Sequence, residues 1–178
     1  MNVLVLEYHA SPSAGGAESS MWNFIRHLQQ DHKVSLVTSE NSSPGSAPGI
    51  NKESRGLPLE ALTIRTLPGF VKSVLALRKM IRENSIDVVL THLVHVSPLL
   101  RLVRWLTGCR VVIYFKWVGT MDDVGRKIRW GNGGVDQAMA VSQFVADYWV
   151  RNGIAWSTPP LPQRIFRPTS SIVPTHLK

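Results

Sequence analysis

The chain has little of what marks secreted, metal-binding or membrane-spanning proteins. It is 178 residues long and has one cysteine, Cys109, so a disulfide framework or a cysteine-based metal site is excluded. No stretch approaches the ~20 apolar residues that a membrane-spanning helix needs. The start, MNVLVLEYHA, has no basic segment of the kind that opens a signal peptide, and Glu7 interrupts its apolar run. We therefore expect a cytoplasmic protein that is soluble or bound at a membrane surface.

Acidic residues are also scarce. The chain has 12 Asp and Glu against 20 Lys and Arg, which gives a net charge of +8, while 44% of its residues are hydrophobic. Such a composition supplies a real core and argues against global disorder. The basic excess indicates an anionic partner: nucleic acid, an acidic membrane or a phosphorylated ligand. Nucleic acid is disfavoured, because neither a helix-turn-helix pattern nor an aromatic RNA-binding strand is present.

Short apolar segments alternate with helical patterns along the chain. Predicted strands cover residues 2–8, 33–39, 62–67, 86–92, 110–117 and 136–142, with a last one at 154–162. Predicted helices cover the segment after Gly16 and residues 70–84, 97–108, 124–130 and 142–153. The helix over 70–84 has an apolar stripe at Phe70, Val74, Leu77 and Ile81, and the helix over 97–108 has Ser97 as its cap and Gly108 at its end. The strands are apolar on both faces, which predicts an α/β fold: a doubly wound, mostly parallel, Rossmann-like three-layer sandwich. Ligands of such sheets bind at the carboxyl ends of the strands.

Two adjacent glycines, Gly15 and Gly16, stand between the first strand and the first helix, in the segment SAGGAES. Without side chains there, an anion can approach the free N–H groups and the positive end of the helix dipole. The alternative is a tight turn that only packs strand against helix. Neither the dinucleotide pattern GxGxxG nor a Walker loop is present.

Other polar residues follow predicted strands. His92 comes after the fourth strand, and it either lines a cleft or is a hydrogen-bonded histidine at a strand end. Lys116 and Ser142 stand at the ends of the next two strands, and Ser142 also fits the cap of the helix that follows. Arg126 and Lys127 are placed to hold an anionic acceptor such as a lipid-linked phosphate. We expect no metal site, since no carboxylate or cysteine accompanies His92 at ligand spacing.

Two predicted helices carry basic faces. Lys72 and Lys79 share one face, and Arg101, Arg104 and Trp105 share another. A tryptophan among basic residues suits a membrane interface, where each basic group contributes about 1 kcal/mol. The alternative is a solvated face with an exposed tryptophan.

Several segments together resemble a known family. They are GGAESSMWNFIRHL, IDVVLTHLVHVSPL, CRVVIYFKWVG, VDQAMAVSQFVADYWVRNGI and STPPLPQRIFRP. In this order and spacing they look like the amino-terminal half of GT-B glycosyltransferases, of the retaining group that includes sucrose synthase, glycogen synthases and lipid-linked mannosyltransferases.

The resemblance implies that two domains have separate binding roles. The amino-terminal half, here residues 1–168, would bind the acceptor, and 169–178 would begin a linker or tail. A second domain would bind the nucleotide-sugar donor, so we expect this chain alone not to transfer sugar and to need no cofactor. Gly15 and Gly16 would lie beside the donor diphosphate. His92 and Lys116 would hold sugar or acceptor groups, although Lys116 stands where the family usually has a histidine.

Two other functions remain open. The chain is a non-catalytic, membrane-associating subunit of a split glycosyltransferase, or it is a Rossmann-like binder of another nucleotide. Donor sugar and acceptor stay unspecified, because residues 40–61 and 117–134 are too irregular to interpret.

Overall fold

A computed structural model describes the backbone of residues 1–7, 16–37, 66–115 and 134–151, and the side chains of these residues except 16–21. The strands are β1 (Asn2–Leu6), β2 (Lys33–Val37), β3 (Val88–Thr91), β4 (Arg110–Phe115) and β5 (Gln137–Ala140). The helices are α1 (Gly16–Leu28), α2 (Leu67–Glu83), α3 (Ser97–Thr107) and α4 (Gln143–Arg151), and a 3-10 turn (Val94–Val96) precedes α3.

All five strands are parallel, in the order β2-β1-β3-β4-β5. The chain moves outward from β1 to β2 and then returns past β1 to β3. Because such crossovers are right-handed, the helices of these two connections lie on opposite faces of the sheet. The order therefore reverses between β1 and β3, and the predicted doubly wound, parallel fold is confirmed.

Each face of the sheet has its own core. Alternate residues of β1 point to opposite faces, so Leu4 and Leu6 pack with α2 and α3, and Val3 and Val5 pack with α1. On the α1 side, Trp22 is 2% exposed and reaches the sheet. A further apolar cluster joins β4 to α4 through Ile113, Phe115 and Trp149, with the last two rings 4.9 Å apart. These contacts hold α1, α3 and α4 against the strands from which they continue.

Local signals explain how α2 begins. Its predicted apolar stripe is confirmed, since Val74, Leu77 and Ile81 are buried. The helix begins earlier than predicted, at Leu67, because the Thr66 hydroxyl caps it by accepting from the Gly69 N–H at 3.3 Å. The strand predicted over 62–67 is therefore wrong for its last two residues, and 62–65 lie outside the described residues.

The other helix ends test capping predictions. Gly108 ends α3 in the left-handed conformation, with φ of 75°, as predicted. Ser142 caps α4, because its hydroxyl accepts from the Val145 N–H at 3.3 Å. Ser97 is not a cap but the first residue of α3, and its hydroxyl donates to the Val94 carbonyl. The predicted segments 124–130 and 154–162, and the boundary at residue 168, lie outside the described residues.

Candidate functional site

The carboxyl edge of the sheet between β1 and β3 is the place where this fold positions a ligand. The helices that follow these two strands, α1 and α3, pack on opposite faces of the sheet, which is the arrangement that opens a crevice in folds of this kind. Glu7 directly follows β1 and His92 directly follows β3. Since Leu6 is paired with Thr91 in the sheet register, the next residue of each strand arrives at the same point.

Glu7 and His92 form an acid–base pair there. Nδ1 of His92 lies 2.9 Å from Oε2 of Glu7, and the side chains are 15% and 1% exposed, respectively. The ring is turned so that its N–H would not point along the line to the oxygen, and Nδ1 does not meet the geometry of a hydrogen bond. The short distance nevertheless makes the imidazole a close polar neighbour of this buried carboxylate. A carboxylate placed so deep needs such a neighbour, because burial without one is very costly.

Thr91 fixes the backbone on which the pair stands. Its hydroxyl is fully buried and donates to the Leu6 carbonyl at 3.1 Å, and it accepts from the Leu93 N–H at 2.9 Å. The Glu7 N–H donates to the Val37 carbonyl at 3.0 Å, which ties the residue after β1 to β2 as well. The pair therefore rests on a rigid part of the sheet.

The arrangement leaves His92 with one ring nitrogen outside the pair. Within the described ranges, Nε2 has no hydrogen-bond partner, and the ring is partly exposed. An imidazole whose Nδ1–H faces a carboxylate presents a lone pair on Nε2 when neutral and an N–H when protonated. Both forms can bind a hydroxyl group, and the protonated form can also donate to a phosphate oxygen. The structure places His92 beside Glu7 at the strand end, and its role in lining a cleft stays a prediction.

Helix α1 begins close in sequence to the same edge. Gly16 is its first residue, so the helix presents its N-terminal N–H groups after the β1 connection. Burial of Trp22 and Ile25 against the sheet fixes the helix axis. Gly15, Lys116, Arg126 and Lys127 lie outside the described residues, and their predicted roles stay predictions.

The ligand role predicted for Ser142 and the expectation of no metal site both stay predictions. Ser142 lies at the carboxyl edge after β5, exposed, with its hydroxyl used as the α4 cap. A ligand role for Ser142 stays a prediction. Among the described residues, no three His, Cys, Asp or Glu side chains come together in a way that could hold a metal ion.

A second carboxylate pair lies at the opposite, amino edge of the sheet. The Arg104 guanidinium donates to both carboxylate oxygens of Asp136, from Nε at 2.8 Å and from a terminal nitrogen at 2.7 Å. Asp136 also accepts from the Val111 N–H at 2.8 Å. The hydrogen bond from Arg104 holds the pKa of the Asp136 carboxyl below its usual value, although partial burial opposes the shift.

This pair changes the composition of the predicted membrane surface. Arg104 is committed to Asp136 and no longer counts as a free cation of that surface. Lys72, Lys79 and Arg101 are exposed, and Trp105 is 79% exposed. No helix of the described part is long and apolar enough to cross a membrane.

The sequence interpretation missed an apolar stripe on α2. Leu67, Val71 and Leu75 are 76%, 47% and 54% exposed, and their spacing of four residues aligns them along one side of the helix. The spacing is visible in the sequence. It was missed because α2 also has a buried apolar stripe, and that stripe alone explains the amphipathic pattern of the helix.

Glu7 and Asp136 were also missed as partners. Glu7 is visible in the sequence as an acidic residue directly after a buried strand, a position from which parallel sheets recruit site residues. Asp136 directly precedes a strand and carries no comparable signal. Neither partner is predictable without the strand order, because His92 and Arg104 are distant along the chain.

The comparisons agree with this architecture. Residues 14–158 match the model of Glycosyltransferase Family 4. No curated protein matches the chain by sequence. Among solved structures, the lipopolysaccharide outer core galactosyltransferase WaaB in its apo form is similar with a TM-score of 0.54 at 15% identity, over 87% of this chain and 43% of that one.

Two further structures show the same relation. HepE of Anabaena in complex with UDP has a TM-score of 0.54 at 14% identity, over 87% of this chain and 42% of its own. Sucrose-phosphate synthase from Thermosynechococcus elongatus has a TM-score of 0.57 at 12% identity, over 86% and 45%. At such identities the likeness shows the fold alone, and the chain spans less than half the length of these GT-B proteins.

The family match covers most of the chain, and the parallel sheet, its reversal between β1 and β3 and the structural neighbours all agree with it. The chain belongs to Glycosyltransferase Family 4 and corresponds to one Rossmann-like half of a GT-B fold.

Proposed function

We propose that this chain is the acceptor-binding half of a retaining glycosyltransferase that takes its sugar from a nucleotide-sugar donor. The observation that carries the proposal is the Glu7–His92 pair at the carboxyl edge between β1 and β3. A polar pair at this edge is placed to bind sugar hydroxyls in a cleft whose other wall comes from a donor-binding domain. The UDP bound by the similar HepE structure supports a nucleotide donor for the present chain.

The proposed catalysis depends on placement and charge. His92 binds an acceptor or sugar hydroxyl, and the N–H groups at the start of α1, with Gly15 and Gly16, face the donor diphosphate. Holding the acceptor hydroxyl against the anomeric carbon converts a bimolecular encounter into a local one. Positive charge and N–H groups at the diphosphate favour its departure. In the same proposal, Lys116, Arg126, Lys127 and Ser142 line the cleft.

Titration with UDP tests the donor side. In an amide NMR spectrum of the chain, UDP is expected to shift the signals of Gly16 and Ala17 more than those of the amino edge. Gly16→Val should abolish these shifts, because a branched side chain at the first turn blocks the diphosphate.

Gly108→Ala is the matched control. Gly108 lies at the opposite edge of the sheet, and open space surrounds the position of an added Cβ. Its left-handed φ makes alanine mildly destabilising without touching the carboxyl edge. Equal UDP shifts in the wild type and in Gly16→Val would remove the loop from the site, and no shift in any variant would contradict a donor-facing role for this half.

We also propose that α2 places the protein on the cytoplasmic face of an anionic membrane. Leu67, Val71 and Leu75 form an exposed apolar stripe, and Lys72 and Lys79 flank it. Apolar groups that enter the headgroup region beside lysines that attract anionic lipids make a surface-bound helix. The net charge of +8 favours the same partner. The apolar stripe, found in the structure, moves the centre of the predicted surface from α3 to α2.

Co-sedimentation with vesicles tests this second proposal. Leu67→Ser with Leu75→Ser should greatly reduce sedimentation with vesicles of phosphatidylglycerol and phosphatidylcholine. Phe144→Ser is the control, since Phe144 on α4 is 70% exposed and lies outside the stripe. Equal loss in the control, or no loss in the double variant, would leave α2 as a solvated helix.

A further inference from the structure

We infer that Glu7 is a positioning residue that sets the tautomer of His92, so that Nε2 faces the crevice as a hydrogen-bond acceptor for an acceptor-sugar hydroxyl. The inference rests on the proposed function for the identity of the ligand. Its first part, the orientation of the imidazole by the carboxylate, stands on the geometry of the two side chains alone.

The distance and burial of the pair support the orientation. Nδ1 lies 2.9 Å from Oε2 of a carboxyl group that is 1% exposed. An ionised carboxylate only accepts hydrogen bonds, so the proton of a neutral His92 is favoured on Nδ1. The inference directs this N–H toward Oε2, which requires the ring to turn from its orientation in the structure. The proton of Nδ1 then leaves Nε2 as the acceptor.

The rigidity of the surrounding backbone supports the role. Thr91 joins β3 to the Leu6 carbonyl, and the Glu7 N–H is bonded to the Val37 carbonyl. The backbone of Glu7 is therefore anchored to β2, and Thr91, the residue before His92, is anchored to β1. A histidine oriented by a carboxylate is the arrangement that holds an imidazole ready to bind or polarise a hydroxyl.

The energetics of the pair also point to a role beyond stability. A carboxyl group that is 1% exposed costs desolvation free energy, and apolar replacements of buried ion pairs are often neutral or stabilising. An apolar residue at position 7 would continue the apolar run of β1. The inference gives the carboxylate at this position a role, which is to orient His92.

Histidine tautomers are measured by long-range ¹H–¹⁵N NMR of the 178-residue chain, at a pH where the imidazoles are neutral. The chain has six histidines, and His92→Gln assigns the signals of His92. We expect the Nδ1–H form of His92 to predominate in the wild type. In Glu7→Gln, the amide both donates and accepts, so this form should fall to the minor population that is usual for a free imidazole.

Two controls separate orientation from general disturbance. Nδ1 of His32 lies 2.7 Å from the Asp31 carbonyl, which also requires Nδ1–H, and this tautomer should not change in Glu7→Gln. Ser73→Ala removes a buried hydroxyl of α2 while keeping Glu7 and Thr91, so it should leave the His92 tautomer as in the wild type. A predominant Nε2–H form of His92 in the wild type, or an unchanged tautomer in Glu7→Gln, would overturn the inference.

The same samples separate this inference from the proposed function. UDP shifts at Gly16 that survive in Glu7→Gln, together with a changed His92 tautomer, agree with both. A changed tautomer without any UDP shift in the wild type supports the orientation by Glu7 and contradicts the donor-facing role. UDP shifts with an unchanged tautomer support the donor-facing role and overturn the positioning role of Glu7.

Discussion

The two edges of the sheet use a carboxylate in opposite ways. At the amino edge, Asp136 accepts three hydrogen bonds from Arg104 and the Val111 N–H, and its pKa is lowered by them. At the carboxyl edge, Glu7 is more deeply buried and lies against a histidine that keeps one ring nitrogen outside the pair. The first pair joins α3 to the sheet. In the proposed function, the second leaves His92 available to a ligand at the carboxyl edge.

The difference shows how one sheet separates stability from function. Ligands bind parallel sheets at the carboxyl ends of the strands, so polar groups at the amino edge can form contacts that only stabilise the fold. The sequence assigned Arg104 to a membrane surface on the basis of its charge, but charge alone does not tell a binding group from a structural one. The two hydrogen bonds from Arg104 to Asp136 show that this arginine is bound within the fold.

Gly134→Ala should give the largest effect, because it opens the amino edge. An added Cβ would lie 2.3 Å from the Cα of Arg101 on α3, and backbone atoms there cannot move aside cheaply. The segment that carries Asp136 would be pushed from Arg104, and we expect a loss of about 3 kcal/mol in unfolding free energy. Urea denaturation measures it. A loss below about 1 kcal/mol would mean that the amino edge is loosely packed.

Asp136→Asn should give the second-largest effect, a loss of about 1–2 kcal/mol in unfolding free energy at neutral pH. The lower part of the range for charged hydrogen bonds applies because the Arg104 side chain is 41% exposed and partly screened by solvent. The shape of the side chain is kept, while the amide loses both the charge and one of the two acceptor oxygens.

The pH dependence of this loss has a fixed sign. The native pKa of Asp136 lies below its unfolded value of about 3.9, so the unfolded chain binds the proton first as the pH falls. The contribution is fully present above that unfolded value and is lost as the pH falls through the lower native one. The stability difference between the wild type and Asp136→Asn should therefore shrink in acid. A difference that grows in acid would contradict the ion-pair account.

Glu7→Gln should give the smallest effect on stability. We expect a change within about 1 kcal/mol, because the amide keeps the shape of the side chain and can still hydrogen-bond, while the cost of burying a charge is removed. Thermal unfolding of the variant beside Asp136→Asn makes the comparison. If Glu7→Gln lost more stability than Asp136→Asn, the Glu7–His92 pair would contribute to stability as the Arg104–Asp136 pair does.

Much of the fold was predictable because its signals are local. The apolar stripe of α2, the left-handed Gly108 and the cap at Ser142 are each readable within a few residues, and all three are confirmed. Predictions failed where two local signals compete. Thr66 reads as the end of a strand but caps a helix, and Ser97 reads as a cap but lies inside the first turn.

The sequence by itself determined the alternation of buried strands with amphipathic helices, and hence a parallel sheet with a reversal of strand order. Only the tertiary structure decided which polar side chains meet. Glu7 finds His92 because β1 and β3 are neighbours in register, and Arg104 finds Asp136 because α3 packs over the start of β4. Helical and strand periodicities are properties of short segments, whereas such pairings depend on strand order and register, which arise only when the whole core is packed.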